Sequence, residues 1–414
     1  DLEDFSDIND SYGHAFGNEV IQEVAERLRE MPATLLVRSG GDEFILCFDH
    51  ALSADSPELA RLARVFEEPV RRAGNKVELS VRAGIANREG EMSSDEMVIY
   101  SDLATQHAKA SGARRPVFYD KDMSVAMERK IEITSTLKSA ISDESIVVVW
   151  QPQVDVETHE VYGYEALCRL ADNAYYPSDF IPVAEMSGLV LPLDRIMTEK
   201  VVEQLAAWRA EGGPVGVASI NFSAAQLRDH GYCDFLADLL KSYDVPASLI
   251  KIEITESMLI GNESLADELF GRLRDMGITL ALDDFGTGYS SLARMAAMPV
   301  DFVKLDKSLV DAFMVPGKEE FIDHVTRLVH GLGKRLVVEG VETYEQYEIC
   351  QRLGCDIIQG YFFSKPVMAS DIPAFDPDAI VSAAKAAAGD KTRNPNWAKY
   401  ARDSNGRWQK KSAK

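Results

Sequence analysis

From residue 146 onward, short apolar segments rich in β-branched residues alternate with segments that carry apolar residues at helical spacing. The apolar segments are VYGYEAL, GVASINFS, LIKIEITE, ITLALDD, DFVKLD, RLVVEGVE and CDIIQGYF. The segments that predict helices between most of them are 194–210, 223–241, 264–276 and 319–333. Strands that alternate with helices in this way predict a parallel sheet. About 230 residues of this pattern suit a closed (β/α) barrel of the TIM type.

A polar residue stands at or near the end of each of these predicted strands. These residues are Glu165, Asn221, Glu253, Asp283 with Asp284, Lys304, Glu339 and Gln359. A single acidic residue after a strand is as often a helix cap or a turn residue as a functional group. Because the carboxyl ends of all barrel strands meet at one rim, the whole set predicts a catalytic cup there.

The length and net charge of the chain limit the number of domains and the kinds of partner that it can have. A chain of 414 residues is too long for one hydrophobic core and predicts two domains. No apolar run approaches the roughly 20 residues of a membrane-spanning helix, so we expect a cytoplasmic protein. The chain opens on Asp1 rather than Met, which leaves open an upstream sensor or a tether to the inner membrane. A net charge of −23 argues against binding to a nucleic acid polymer.

The cysteines and histidines do not form a pattern typical of zinc sites. Five cysteines without a CxxC spacing predict reduced thiols rather than a disulfide framework. Seven histidines include no HExxH motif. A metal site in this chain would therefore use carboxylate and amide oxygens, which suit Mg²⁺ or Mn²⁺.

The first part of the chain, residues 1–120, predicts a mixed α+β domain. NEVIQEVAERLREM carries an apolar stripe at helical spacing, and TLLVRS and FILCF flank a Gly40–Gly41 turn typical of a hairpin. VELSVRAGIA predicts a third strand, and SDLATQHAKAS predicts a further helix. We interpret this order as a ferredoxin-like sandwich that lacks its first strand.

Three more segments complete the predicted organisation. Residues 121–142 predict a helical connector, and residues 143–375 contain the barrel. Residues 376–414 are Ala-rich and then basic, with eight Lys or Arg after residue 390 against Asp403 alone. We expect this tail to be a flexible, solvated terminus, and the alternative is a weak contact with an anionic surface.

Two sets of motifs resemble two known families. SGGDEF at 39–44, with DLEDFSDIND at 1–10 and GHAFGN at 13–18, resembles the GGDEF (diguanylate cyclase) domain. YEALCRL at 164–170 resembles the EAL (cyclic di-GMP phosphodiesterase) domain. The motifs that support the second resemblance are NFS at 221–223, EITES at 253–257, DDFGTGYSSL at 283–292, VKLDKS at 303–308, VVEGVE at 337–342 and QGYFFSKP at 359–366.

The resemblance to the EAL domain implies hydrolysis of cyclic di-GMP to linear pGpG at two Mg²⁺ or Mn²⁺ ions. The metal ligands it implies are Glu165, Asn221, Glu253, Asp283, Asp284 and, through a bound water, Gln359. The catalytic residues it implies are Lys304, Glu339 and Glu165, and the substrate-binding residues are Gln151 and Arg169. Glu256 would brace the 285–291 loop, which the family links to a homodimer interface.

The resemblance to the GGDEF domain is less complete. The nucleotide-binding and metal-binding residues it implies are Asp1, Asn9, Asp42, Glu43 and Lys109. The chain departs from the family pattern at Ser6, Asn18, Gln106 and Ala113. Loss of two cations near a triphosphate weakens phosphoryl transfer, and the inhibitory product motif is absent at 31–34.

These departures favour a regulatory domain that binds GTP with Mg²⁺ as an effector. Two alternatives stay open. One is a bifunctional enzyme or a net diguanylate cyclase, and the other is a catalytically silent receptor for cyclic di-GMP.

Overall fold

The computed structural model describes residues 1–72, 75–172, 174–213, 216–259, 263–286, 292–315, 317–389, 400–402 and 408–410. The chain divides into two compact units, Asp1–Glu132 and Ile133–Lys414. Within the described residues, every helix is too short or too polar to cross a membrane.

The first unit contains short helices and very short strands. Its elements are α1 (Phe5–Tyr12), α2 (His14–Leu28), β1 (Leu35–Gly40), β2 (Glu43–Cys47), α3 (Pro57–Glu67), β3 (Val70–Arg72), β4 (Asn75–Val77), β5 (Gly84–Ile85), α4 (Ser94–Ala110) and β6 (Val117–Phe118). Helix α5 (Lys121–Ser142) then crosses the boundary between the two units, where a helical connector was predicted.

The predicted hairpin is confirmed, because β1 and β2 pair antiparallel with Gly40 opposite Glu43. The predicted third strand is not continuous, since only β4 and β5 form within or beside it. In the described part of this unit the strands form three two-stranded pairs rather than one sheet, namely β1–β2, β3–β4 and β5–β6.

Helix α2 supplies the core of the first unit. The apolar stripe predicted from the sequence is buried, with Val20, Ile21, Val24 and Leu28 almost completely inaccessible to solvent. These side chains pack with residues from the β3–β4 pair, such as Val70. An apolar face at helical spacing therefore forms one side of the core, as the amphipathic pattern requires.

The second unit contains a closed barrel of eight strands. Its strands are β7 (Ile146–Asp155), β8 (Val161–Leu170), β9 (Val217–Phe222), β10 (Ile250–Thr255), β11 (Thr279–Phe285), β12 (Phe302–Leu305), β13 (Arg335–Glu339) and β14 (Ile357–Gln359). Its helices are α6 (Pro177–Ser187), α7 (Val190–Ala210), α8 (Tyr232–Ser242), α9 (Glu263–Asp275), α10 (Leu292–Ala297), α11 (Lys307–Phe313), α12 (Glu320–Gly331), α13 (Tyr344–Leu353) and α14 (Pro377–Gly389). A further pair of strands, β15 (Tyr400–Arg402) and β16 (Trp408–Lys410), follows α14.

The barrel confirms the predicted fold class, but one strand was not among the seven predicted segments. Strand β7 closes the barrel and runs antiparallel to both of its neighbours, β8 and β14. The expectation of an all-parallel sheet is therefore wrong at this strand. The reason is local, because the β7–β8 connection is a short turn at 156–160, and a turn of that length joins only antiparallel strands.

The Ala-rich segment after the barrel is helical rather than flexible. It forms α14, and Val381 is buried in the barrel core. His159 anchors the start of this helix, since its Nδ1 lies 2.7 Å from Asp378 and its Nε2 lies 2.6 Å from the Tyr347 hydroxyl. Most of the basic segment that follows lies outside the described residues.

Candidate active site

The register of the barrel strands brings the predicted polar residues to one rim. Gln151 of β7 lies opposite Glu165 of β8. Asn221 of β9 lies opposite Glu253 of β10. Glu339 of β13 lies opposite Gln359 of β14. Because the side chains of neighbouring register positions point to the same face of a sheet, these three pairs face the interior of the barrel together.

Lys304 lies at the centre of this group and is fully buried. Its Nζ atom lies 2.5 Å from Glu253 Oε2, 2.7 Å from Glu339 Oε1, 3.0 Å from Asp283 Oδ1 and 3.7 Å from Glu165 Oε2. Strand β12 thus directs one ammonium group at four carboxylates from four other strands. The sequence predicted each of these residues at or near a strand end, and the structure brings all five together, although Glu165 lies in the middle of β8.

Negative charge exceeds positive charge in this cluster. Burial raises the pKa values of Glu165, Asp283 and Glu339, and the neighbouring carboxylates reinforce that shift. Burial alone would also raise the pKa of Glu253, but the ammonium groups of Lys304 and Lys251 hold it below its ordinary value. Four carboxylates that share one enclosed space therefore repel each other, and a cation would relieve that repulsion.

Burial has the opposite effect on the two lysines. Desolvation lowers the pKa of Lys251 to about 8, although Glu253 opposes that shift. Desolvation also acts on Lys304, but the surrounding carboxylates outweigh it and raise the pKa of Lys304 well above its usual value. Lys304 is therefore an ammonium ion in the folded protein.

Amide side chains hold Glu165 from two sides. Asn221 Nδ2 donates to Glu165 Oε1 over 2.8 Å, and Gln359 Nε2 donates to Glu165 Oε2 over 2.5 Å. Gln359 Oε1 accepts a hydrogen bond from Gln153, which was not among the predicted site residues. The amino group of Gln359, rather than its oxygen, therefore faces the carboxylates.

Asp284 lies next to this cluster in an unusual backbone conformation. Its φ is 55°, which only a few per cent of non-glycine residues adopt. The register between β11 and β12 shifts at this point, between Leu282 and Phe285, so Asp284 is part of a β-bulge. Such bulges redirect a side chain, and here the residue stays exposed beside the buried Asp283.

The remaining predicted residues of this unit lie at the edge of the cluster. Arg169 is half-buried, donates to the carbonyl of Cys168 over 2.7 Å, and has its pKa lowered by burial. Glu256 begins the 3₁₀ segment Glu256–Leu259 directly after β10. Its predicted role as a brace stays a prediction, because residues 287–291 lie outside the described residues.

The chemistry of the cluster fits a divalent cation with oxygen ligands. Glu253 Oε1 is buried and accepts no hydrogen bond, so one carboxylate oxygen has an unused acceptor site. Carboxylate and amide oxygens are the ligands that Mg²⁺ and Mn²⁺ prefer. Within the ranges that the structure describes, no three acidic, histidine or cysteine side chains converge into a metal-binding group by themselves. The Lys304 ammonium lies between the carboxylates, at the centre of the cluster.

A second group of predicted residues lies in the first unit. A cleft of about 550 Å³ is lined by Asp1, Asn9, Asp42 and Lys109. Lys109 Nζ lies 2.8 Å from Asp1 Oδ2. A Cβ at Gly17 would lie 2.0 Å from Asn9 Oδ1, so a larger residue at position 17 would displace the Asn9 side chain. Four of the five predicted nucleotide-binding residues therefore come together, whereas Glu43 is not part of the lining.

Asp194 of α7 contacts Ser223, the residue that directly follows β9. The Ser223 hydroxyl donates to Asp194 Oδ2 over 2.6 Å. Burial raises the pKa of Asp194 to about 7, and the charge of Glu185 adds to this effect. Ser223 follows Asn221 by two residues, so this contact helps to fix the strand that carries Asn221.

We expect Asp194→Asn to change the pH dependence of stability. The folded-state pKa of Asp194, about 7, lies above the unfolded value of about 3.9. Protonated Asp194 therefore contributes stability that the parent protein loses as pH rises between these values, whereas the variant lacks this contribution. The free energy of unfolding of the variant relative to the parent should grow from pH 4 to pH 8 in denaturant titrations. A difference that does not vary with pH would contradict this assignment.

Each of the two units matches a known protein family. The EAL domain family matches residues 134–366, and the diguanylate cyclase, GGDEF domain family matches residues 1–115. The oxygen sensor protein DosP of Escherichia coli K12 is 32% identical over 387 residues, which are 90% of this chain and 48% of DosP. The cyclic di-GMP phosphodiesterase PdeR of the same organism is 32% identical over 377 residues, which are 89% of this chain and 57% of PdeR.

A solved structure resembles the barrel unit. It is the PaMucR phosphodiesterase in complex with c-di-GMP, with a TM-score of 0.55, 27% sequence identity, and coverage of 58% of this chain and 99% of that chain. The chain spans about half the length of the curated relatives it matches. Motifs, fold and family matches agree: the chain belongs to the family of proteins that join a GGDEF domain to an EAL domain.

Proposed function

We propose that the barrel unit hydrolyses cyclic di-GMP to linear pGpG with two bound Mg²⁺ or Mn²⁺ ions. The observation that carries this proposal is the buried group of four carboxylates around Lys304 at the carboxyl-end rim of the barrel. Family membership supports it, since PdeR is named a cyclic di-GMP phosphodiesterase and the PaMucR structure contains c-di-GMP.

The residues that would hold the ions are Glu165, Asn221, Glu253, Asp283 and Asp284. When bound, two such ions make a water more acidic and offset the charge on the phosphoryl oxygens. Gln359 has a different role in this proposal. Because its amino group faces Glu165 and its oxygen accepts a hydrogen bond from Gln153, it orients that carboxylate instead of offering its oxygen to an ion.

Lys304 and Glu339 act on the reacting atoms in this proposal. Lys304 is an ammonium ion whose Nζ lies within 3.0 Å of Glu253, Glu339 and Asp283. An N–H group that is released when an ion binds Asp283 would orient the attacking water. Glu339 lies 2.7 Å from Lys304 and can accept a hydrogen bond from that water. Arg169, at the edge of the cluster, supplies a guanidinium group for a substrate phosphate, which such a group binds with two parallel hydrogen bonds. We assign Gln151 to the same substrate edge.

The test is an assay of the nucleotides that the protein forms. The purified protein is incubated with cyclic di-GMP and Mg²⁺ or Mn²⁺, and the products are separated by chromatography. We expect pGpG with either ion and little product with Ca²⁺, whose larger and looser coordination shell does not suit a two-metal site. Binding of cyclic di-GMP without any product would support the receptor alternative instead.

We propose further that the cleft of the first unit binds GTP with Mg²⁺ and modulates hydrolysis. The cleft brings Asp1, Asp42 and Lys109 together, which provides two carboxylates for a cation and one ammonium group for a phosphate. Helix α5 is continuous between the two units and offers a covalent path for the effect. A coupling free energy of roughly 1–3 kcal/mol would change the apparent affinity for substrate several-fold or more.

We expect Asp42→Ala to remove the effect of GTP while basal hydrolysis stays unchanged. The measurement is the rate of pGpG formation with and without GTP in the protein that contains both units. Glu30→Ala is a matched control, because Glu30 is exposed in the same unit and does not line the cleft. Formation of cyclic di-GMP from GTP at a rate similar to hydrolysis would favour the bifunctional alternative and overturn the regulatory role.

A further inference from the structure

A chain of buried side chains runs beneath the rim cluster. We call Lys251, Gln153, Gln359 and Gln151 the amide relay. Lys251 Nζ donates to Gln153 Oε1 over 2.7 Å, and Gln153 Nε2 donates to Gln359 Oε1 over 2.7 Å. Gln359 Nε2 then donates to Gln151 Oε1 over 3.1 Å and to Glu165 Oε2 over 2.5 Å. The relay therefore connects a lysine below the rim to a carboxylate of the candidate metal site.

The groups at the two ends of the relay determine which partner donates in each of its hydrogen bonds. An ammonium group can only donate, so the amide of Gln153 must turn its oxygen toward Lys251. Its amino group then faces Gln359, which must accept with its oxygen and direct its own amino group upward. At the upper end, Gln151 Nε2 donates to the backbone carbonyl of Ser364 over 3.2 Å. A carbonyl can only accept, so both ends require the same orientation of the amides.

The surroundings of Lys251 leave it few other partners. The side chain is completely buried, and its Nζ lies 5.0 Å from the Phe302 ring centroid and 5.3 Å from that of Tyr162. Glu253 Oε1 lies 3.7 Å from the same nitrogen, beyond hydrogen-bond distance. Burying an ammonium group in this way is unfavourable unless its hydrogen bonds are satisfied, so the contact with Gln153 is strongly maintained.

We propose that Lys251 is a positioning residue for the active site and that it acts through Gln153 and Gln359 on Glu165. Its donor-only ammonium group keeps the Gln359 amino group directed at the Glu165 carboxylate. A reversed Gln359 would place its amide oxygen against that carboxylate and repel it. This inference rests on the proposed function, since it treats Glu165 as a metal ligand.

Gln153→Glu tests the relay with almost no change of shape. The substituted carboxylate still pairs with Lys251, but it has no N–H to donate to Gln359. Gln359 should therefore turn its amino group downward and lose its contact with Glu165. We expect affinity for Mn²⁺ and kcat to fall by about 10–100-fold, the usual effect of losing a partner of a metal ligand, while KM for cyclic di-GMP changes little.

A swap of the two side chains is the matched control. In Gln153→Lys combined with Lys251→Gln, charge and volume are conserved, and a donor again faces the oxygen of Gln359. We expect this double variant to recover Mn²⁺ affinity and kcat to within a few-fold of the parent. Lys251→Met serves as a second test, because it removes the donor and leaves Gln153 free to reverse.

The readouts are Mn²⁺ binding by electron paramagnetic resonance, kcat, KM and the melting temperature. Parent-like Mn²⁺ affinity in a folded Gln153→Glu protein would overturn the relay. A folded swap variant that is as impaired as Gln153→Glu would overturn it as well. If the parent binds Mn²⁺ but forms no pGpG, the proposed function fails, whereas the comparison of Mn²⁺ affinities among the variants still decides the role of Lys251.

Discussion

Replacing Glu165 by alanine is expected to lower the rate of cyclic di-GMP hydrolysis by roughly 10²–10³-fold, the range for losing one charge-stabilising group of an active site. Glu165 accepts hydrogen bonds from Asn221 and Gln359 and lies 3.7 Å from Lys304, so its loss removes a proposed metal ligand and releases both amides. Burial already raises the pKa of this carboxyl, which means that its ionised form is not stabilised by its surroundings alone.

The fold should survive the same substitution. Glu165 lies at the rim of the barrel and not in its apolar core. The measurement is the rate of pGpG formation together with the melting temperature. Glu160→Ala is a suitable control, because Glu160 is exposed and immediately precedes the same strand, β8. A folded Glu165→Ala protein with the parent rate would refute the assignment of the site.

Lys304→Met is expected to cost both activity and stability. Lys304 is the ammonium group that faces four buried carboxylates, and its loss leaves them without their main counter-charge. Removal of one partner from a buried ion pair typically costs about 3–5 kcal/mol. We therefore expect a clear fall in the free energy of unfolding of the metal-free protein, and no measurable hydrolysis.

A divalent cation should restore part of that stability. Mn²⁺ can supply positive charge among the same carboxylates, so it should raise the melting temperature of Lys304→Met more than that of the parent. Lys241→Met is the control, since Lys241 is an exposed residue in the last turn of α8. Parent-like stability without metal, or an equal response to Mn²⁺, would show that Lys304 does not hold the carboxylates together.

The sequence was sufficient to predict the barrel, because the sequence patterns that indicate a barrel are local. Alternating strand and helix periods predicted the (β/α) architecture, and polar residues at strand ends predicted a site at one rim. Strand β7 was not predicted, because no helix separates IVVVWQPQVD from β8 and the segment therefore departs from the alternation of strands and helices. Whether β7 runs parallel or antiparallel to β8 depends on the length of the turn that joins them.

Gln153 and Lys251 were not selected for a different reason. Each lies two positions from a residue that was selected, Gln151 or Glu253, and therefore on the same face of its strand. That period-2 relation was available in the sequence. Whether such a residue faces solvent, an apolar plug or another polar group depends on the strand opposite, which lies 98 residues away for the Lys251–Gln153 contact.

The sequence by itself determined which groups this protein can use, namely the candidate oxygen ligands, the ammonium of Lys304, and the predicted nucleotide-binding residues of the first unit. Only the tertiary structure decided their environment. Closure of the barrel buried four carboxylates around one lysine. It also directed the amino group of Gln359 toward Glu165. The physical reason is that charge repulsion and hydrogen-bond direction depend on distance and burial, and both are set by strands that are remote in the chain.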